Sequence, residues 1–322
     1  MLTFIYQGFT LFCIMDIFVE NFPPLQPFLQ GYGKVKIDQA PVHLPPDLPS
    51  SPFTTLRRAF IIGLSASVPR SRFRDFYFMA NLLCLWTIYS LWHLYTNSSI
   101  SPPLSLVIHT MPRPSSPSGC ILDALIPLVL FQLQLARRLY EQCYVERPSA
   151  NARMNVFLYL LGYFHYFLGV YSMWVERAAL FGLWSPQDRQ SLSWKDVQLH
   201  HILGVTLFFW AFHHQAKQHR ILGDLRAPKS PSASPIAYGQ YPSAYKIPHG
   251  SWFDLVASPH YLTESLIYAG YCLAGGINLA STLLCLWSLL NRAYGAKGAH
   301  EWYCRLFPNF PRERRIFIPY IW

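Results

Sequence analysis

Charged side chains are scarce in this chain of 322 residues. They make up 13% of it, whereas 52% of the residues are hydrophobic and 16% are aromatic. Soluble domains carry about 25% charged residues, so the deficit argues against a soluble protein and predicts an integral membrane protein. The remaining charges are mostly basic and give a formal net charge of +10. Such an excess is typical of the cytosolic loops of membrane proteins.

Several sequence motifs are also missing, and each absence excludes a class of site. The chain has no nucleic-acid-binding motif, so its positive charge does not predict a nucleic-acid partner. It has no HExxH motif, and its seven cysteines form no CxxC pair, so we expect buried hydrophobic cysteines and no metal site. No GxGxxG follows a strand, which excludes a Rossmann nucleotide site. No internal repeat favours a transporter with inverted halves.

Long apolar runs are abundant and predict an all-α integral membrane fold of about seven transmembrane helices in one domain, residues 1–322. The first run lacks the basic region and the small-residue cleavage site of a signal peptide, so we interpret it as a retained span. The predicted spans are Leu2–Val19, Phe76–Tyr95, Ile121–Ala136, Val156–Trp174, Leu199–Phe212, Tyr261–Ala274 and Ile277–Leu290.

The basic residues predict the orientation of these spans. If the N-terminus is lumenal, the loops at 21–73, 137–153 and 213–260 and the C-terminal tail are cytosolic and hold nearly all the Lys and Arg. The first of these loops contains a short apolar piece, Ala59–Val68, which we expect to lie in the interface or to re-enter.

The stretch from His213 to Glu264 places many polar and charged residues beside apolar spans. Such side chains are costly near lipid, so we interpret the stretch as a site for a large anionic cofactor, between helices on the cytosolic side. Lys217, Arg220 and Arg226 are candidate phosphate ligands. A basic cluster that touches lipid head groups is the alternative.

A carboxylate and several histidines complete this stretch. Glu264 lies four residues after His260, which places both on one helix face. Arg226 or Arg292 is the expected partner of the carboxylate, and a purely structural ion pair is the alternative. The spacings of His213, His214 and His219 could hold a metal, as could those of His200 and His201, but we expect no Asp, Glu or Cys set to complete such a site.

Three segments, HQAKQHRILGDLR, YKIPHGSWFDLVASPHYLTE and WYCRLFPNFPRERRIFIPYIW, resemble the steroid 5α-reductase family and, within it, the polyprenol (polyprenal) reductase branch. The similarity is strongest over residues 137–322. It implies a multi-pass enzyme of the endoplasmic reticulum membrane that uses NADPH and takes a long-chain isoprenoid substrate for dolichol synthesis. Its N-terminus would be lumenal and its C-terminus cytosolic.

The resemblance also implies site residues. The positions where steroid-reducing members carry a carboxylate and a tyrosine correspond here to Ser67 and Leu135, so the proton donor must be sought elsewhere. Tyr140, Glu141 and Tyr144 are the nearest catalytic candidates. The expected cofactor contacts, to which Lys217 is added for its charge, are Gln215, Lys217, His219, Arg226, His260, Glu264, Arg292, His300 and Tyr303.

The chemistry constrains the substrate independently. Hydride adds readily to a carbon–carbon double bond only when a conjugated carbonyl can accept the charge. A polyprenal has such an enal, whereas a polyprenol has only an allylic alcohol, so we predict the aldehyde as the immediate substrate. The alternatives are a steroid or enoyl-lipid reductase of the same fold, a non-catalytic seven-span lipid-binding protein, and a methyltransferase that would need an S-adenosylmethionine site. No obligate protein partner is inferred.

Overall fold

The computed structural model describes residues 6–8, 10–11, 66–100, 119–148, 152–226 and 245–322. Within these ranges the chain is mostly helical. The long helices are α1 (Phe73–Asn97), α2 (Leu122–Tyr144), α3 (Val156–Ser172), α4 (Leu199–Asp224), α5 (Pro259–Ala274) and α6 (Leu279–Leu306). They overlap the stretches predicted as the second to the seventh spans.

Several predictions lie outside the described residues. These are most of the first span and the loop at 21–73 up to residue 65, with most of its apolar piece. Among the described helices, no single one has both the length and the apolar composition needed to cross a membrane. One bent pair does, Val156–Ser172 with Val175–Phe181, whose halves meet at 41°.

Two helices are longer than the predicted spans. α4 continues from Phe212 through the polar stretch to Asp224, because Gln, Lys and Arg are good helix formers and no proline interrupts them. α6 continues to Leu306 and ends just before Phe307. Phe307 is followed by a proline, and a residue in front of a proline disfavours the helical conformation. The polar residues of both segments are therefore held on rigid helices.

Glycines bring α4 and α5 into close contact. A Cβ atom on Gly204 would lie 2.4 Å from the backbone nitrogen of Ala274, and one on Gly270 would lie 3.0 Å from that of Phe208. Small residues at such crossings let backbones approach each other. This packing aligns the polar half of α4 with the start of α5.

A short antiparallel sheet departs from the all-α expectation. Strands β1 (Ser67–Pro69) and β2 (Arg153–Asn155) pair with Val68 opposite Met154. The pairing joins the segments that lead into α1 and α3. The backbone N–H of Arg70 also donates to the carbonyl of Ala152 at 2.8 Å, which fixes Arg70 at the same end of the two helices.

The C-terminal tail folds back on the segment before α5. Arg315 donates its backbone N–H to Leu255 and accepts from that of Ala257, both at 2.9 Å. The Arg314 guanidinium donates to the carbonyl of Pro248 at 2.8 Å. Gly250, in the same segment, has φ 85°, which favours glycine. Two of the motifs that carry the family resemblance therefore pack against each other.

Candidate active site

A cavity of about 250 Å³ lies among α1, α2, α3, α4, α5 and α6. The wall residues that lie nearest the sheet and the tail are Arg70 on the segment before α1, Arg147 after α2, Arg226 after α4 and Tyr303 on α6. From Trp287 to Tyr303, the wall follows α6 for about 24 Å at about 1.5 Å per residue. The cavity is thus elongated along the helices.

One end of the cavity, here called the mouth, is basic and aromatic. It is lined by Arg70, Arg147, Arg226, Tyr245, Trp302 and Tyr303. Over the whole wall, five arginines face two glutamates. Burial raises the pKa of Tyr303 to about 12, with smaller opposing effects from nearby arginines, so its phenol stays protonated. The mouth therefore offers cations and aromatic rings to an anionic, planar ligand.

The middle of the cavity contains a buried charge network centred on Glu141. The carboxylate oxygen Oε2 of Glu141 accepts from Arg138 Nη1 at 2.5 Å and from His219 Nδ1 at 2.6 Å. Arg138 also donates to Glu146 at 2.9 Å. Burial disfavours the charged form of Glu141, but His219 and Arg138 outweigh it and hold its pKa well below the usual range. The network fixes both partners, which line the cavity.

Glu264 forms a second network on the other side of the cavity. Its Oε1 accepts from Arg292 Nη2 at 2.8 Å, and its Oε2 accepts from Gln215 Nε2 at 3.3 Å. Of the two partners expected from the sequence, Arg292 makes this ion pair. Arg137 also donates to the Gln215 side chain. The amide of Gln215 thus orients the carboxylate from behind the wall.

His260 lies between the two networks, with its ring 5.9 Å from that of His219. Burial, followed by the nearby His219 and Arg138, lowers the pKa of His260 well below its usual value, so the ring is neutral. Its Nδ1 is buried and has no hydrogen-bond partner among the described residues. An orphaned polar atom beside a cavity is expected where a ligand completes the site.

The other end of the cavity, here called the inner end, is mostly aromatic. It is lined by Phe76, Tyr77, His165, Tyr166 and Trp287. The ring of Tyr166 stacks on Phe76 with a centroid distance of 5.6 Å and lies 5.1 Å from that of Tyr77. The ring of His165 lies 4.3 Å from that of Trp287. This end can surround an apolar substrate.

The structure brings together six of the nine predicted cofactor residues, namely His219, Arg226, His260, Glu264, Arg292 and Tyr303, which all line the cavity. Gln215 supports the wall as described. Lys217 is exposed on the other face of α4. His300 contacts Phe310 in the tail and does not line the cavity.

The three catalytic candidates are separated. Tyr140 and Tyr144 are 57% and 73% exposed, contact each other on the outer face of α2, and do not line the cavity. Glu141 is buried and acts on the cavity through its partners. Ser67, bonded by Arg153 in the sheet, and Leu135, in the core, do not line it either. Neither supplies an acid to the cavity.

Sequence reasoning missed Arg70, Tyr77, Arg138, Arg147 and Tyr166. The two tyrosines resembled ordinary span residues, and the three arginines resembled loop charges. Only the convergence of α1, α2 and α3 on one cavity identifies them.

A second buried cluster surrounds Asp123 at the N-terminal ends of α2 and α4, opposite the ends that line the cavity. Atoms of Cys120, Asp123 and His201 lie within 4.8 Å of one another. His201 Nδ1 accepts from the backbone N–H of Gln198 at 3.0 Å, so its Nε2 carries the proton and donates to Asp123 at 2.9 Å. If His201 bound a metal through Nε2, its proton would instead lie on Nδ1, which would have to donate a hydrogen bond. With Arg177 3.4 Å from Asp123, this arrangement fits a structural cap.

The fold and the cavity define a helical-bundle protein whose buried site joins a cationic mouth to an aromatic inner end. A family model described as 3-oxo-5-alpha-steroid 4-dehydrogenase matches residues 152–322. The chain therefore belongs to that family, and the resemblance inferred from its motifs is confirmed. The helices α1 and α2, which supply much of the cavity, lie outside the matched region.

Curated relatives cover most of the chain. It is similar to the polyprenal reductase of Caenorhabditis elegans, 32% identical over 79% of this chain and 80% of that protein. The polyprenal reductase of Xenopus tropicalis is 33% identical over the same shares. That of Homo sapiens is 30% identical over 90% of this chain and 84% of its own length.

Proposed function

We propose that this protein is an NADPH-dependent oxidoreductase that reduces the α-isoprene double bond of polyprenal, a step of dolichol synthesis for protein N-glycosylation. The observation that carries the proposal is the cavity itself. Its mouth is cationic and its inner end is apolar, as an anionic cofactor beside an isoprenoid requires. The family and the names of its curated relatives support the same reaction.

The residues present fit a dinucleotide phosphate cofactor. Arg70, Arg147 and Arg226 would hold its phosphates, since guanidinium groups form charge-assisted bonds with phosphate oxygens. The orphaned Nδ1 of His260 and the carboxylate of Glu264 would bind polar groups of the cofactor farther in. When bound, the cofactor supplies the hydride that the β-carbon of the enal accepts.

The chain's own residues would orient the reactants. Glu141 and Arg138 hold His219 on the wall, while Gln215 and Arg292 hold Glu264. Fixed dipoles of this kind need no reorganisation during the reaction.

The same proposal includes a place in the endoplasmic reticulum membrane. Arg147, Arg226, Tyr245 and Tyr303, at the mouth, belong to the segments that the charge distribution assigns to the cytosol. The mouth would then open toward the cytosolic side, and the isoprenoid would reach the inner end from the bilayer.

The test uses purified full-length protein with NADPH and either a short polyprenal or the matching polyprenol, with products measured by mass spectrometry. We expect a gain of two hydrogens with the aldehyde alone. A gain with the alcohol alone would contradict the enal argument. Cofactor binding without reduction of either would shift the substrate to another conjugated lipid, and no binding of NADPH would overturn the proposal.

A matched pair of variants tests the cofactor site. Arg226→Gln removes a cavity cation just after α4, whereas Lys217→Gln removes an exposed cation from α4 itself. We expect the first to weaken NADPH binding by about tenfold, the equivalent of about 1.4 kcal/mol, and the second to leave it unchanged. Equal effects would show that only the general positive charge of this surface matters.

A further inference from the structure

The hydroxyl groups of the inner end come from Tyr77 on α1 and Tyr166 on α3. Both side chains are more than nine-tenths buried, with 6% and 7% exposed, and both line the cavity. The other residues of the inner end are Phe76, His165 and Trp287. In such a setting a hydroxyl is one of the few groups that can recognise a polar atom at the head of an apolar substrate.

Arg138 holds the Tyr77 hydroxyl in place. Its Nε donates to the Tyr77 hydroxyl oxygen at 3.2 Å, and its guanidinium carbon lies 5.3 Å from the centre of the Tyr77 ring. Glu141 and Glu146 bind the remaining nitrogens of the same guanidinium. The Tyr77 hydroxyl is also hydrogen-bonded to that of Tyr166. When Tyr166 donates in this pair, the oxygen of Tyr77 accepts from both neighbours, its own hydrogen is available to donate, and the cation polarises the O–H bond.

The reaction needs a donor of this kind. Reduction of an enal adds a hydride at the β-carbon and a solvent proton at the α-carbon, and negative charge develops on the carbonyl oxygen between these events. A hydrogen-bond donor aimed at that oxygen lowers the barrier. We infer that Tyr77 is this group and that its hydroxyl donates to the aldehyde oxygen without losing its proton.

This inference rests on the proposed function, but a binding experiment can test it without turnover. Citronellal labelled with ¹³C at its carbonyl has an already saturated α-isoprene unit and cannot be reduced at that bond. The carbonyl stretch of this probe, bound to full-length protein without cofactor, is measured by difference infrared spectroscopy. We expect a shift to lower frequency in the wild type, and loss of that shift in Tyr77→Phe.

Tyr163→Phe is the matched control. Tyr163 lies on α3 and also contacts Phe76, but its hydroxyl pairs with that of Tyr159 at 2.9 Å and it does not line the cavity. We expect it to keep the wild-type shift. With polyprenal and NADPH, Tyr77→Phe should lower kcat by about 100- to 1,000-fold, with the Kd for NADPH unchanged.

A second variant guards against misfolding of Tyr77→Phe. Replacement of Tyr77 by 3-fluorotyrosine keeps the ring shape and makes the phenol more acidic, so the carbonyl shift should increase. The inference is overturned if folded Tyr77→Phe keeps both the shift and the wild-type kcat, if the fluorinated protein shows no change, or if only Tyr166→Phe loses the shift. If wild-type protein shifts the carbonyl band but reduces no enal, the proposed function fails while the carbonyl contact of Tyr77 stands.

Discussion

The Glu141→Gln substitution tests the charge network in the middle of the cavity. The carboxylate of Glu141 is 3% exposed and binds Arg138 and His219 at 2.5 and 2.6 Å. Removal of one partner from a buried ion pair costs about 3–5 kcal/mol. Arg138 keeps Glu146 as a second carboxylate partner at 2.9 Å, so we expect a smaller loss, about 2–3 kcal/mol of the free energy of unfolding.

The loss should be visible as a lower Tm. At about 2–4 °C per kcal/mol for domains of roughly this size, the expected decrease is about 5 °C or more. The assay is thermal unfolding in one fixed detergent, followed by tryptophan fluorescence without cofactor. Glu301→Gln, an exposed glutamate on α6, is the control and should change Tm by less than about 1 °C.

A double-mutant cycle sharpens this test. Arg138→Gln and Glu141→Gln together should cost clearly less than the sum of the two single losses, because residues in one ion-pair network do not act additively. Additive losses, or a Glu141→Gln protein as stable as the Glu301→Gln control, would refute the argument that these buried charges form one coupled, stabilising network.

Two further predictions concern stability. Desolvation raises the pKa of the partly buried Glu146, but Arg138 and then His219 outweigh it and lower the pKa from 4.5 to about 2. Its ion pair therefore stabilises the fold fully above about pH 4.5, and this contribution is lost as pH falls toward 2. Denaturant midpoints measured across this range should fall less steeply for Glu146→Gln. Gly223→Ala should lower the free energy of unfolding by about 1–3 kcal/mol, because its Cβ would lie 2.4 Å from the carbonyl oxygen of Val145. In the same denaturation assay, Gly298→Ala, with no atom within 4 Å of its Cβ, should be neutral or slightly stabilising. An equal loss in both alanine variants would contradict the close-packing argument.

Helical structure followed from local pattern. Apolar runs and the scarcity of helix breakers are properties of neighbouring residues, so α1 to α6 could be placed from the sequence. The ends of α4 and α6 could not be placed, and Gln215 and His219 were assigned to a loop after Phe212, because Lys, Arg and Glu continue a helix as readily as they form a loop.

The family, the chemistry of an enal and six of the residues that line the cavity were determined by the sequence, because short specific motifs and single charged residues carry that information. Only the tertiary structure decided which charges share one site. It placed Lys217 outside and Arg70 inside, paired Glu264 with Arg292, and brought Tyr77 beside Tyr166. These contacts join helices far apart in the chain, and their distances depend on close packing that local sequence patterns do not encode.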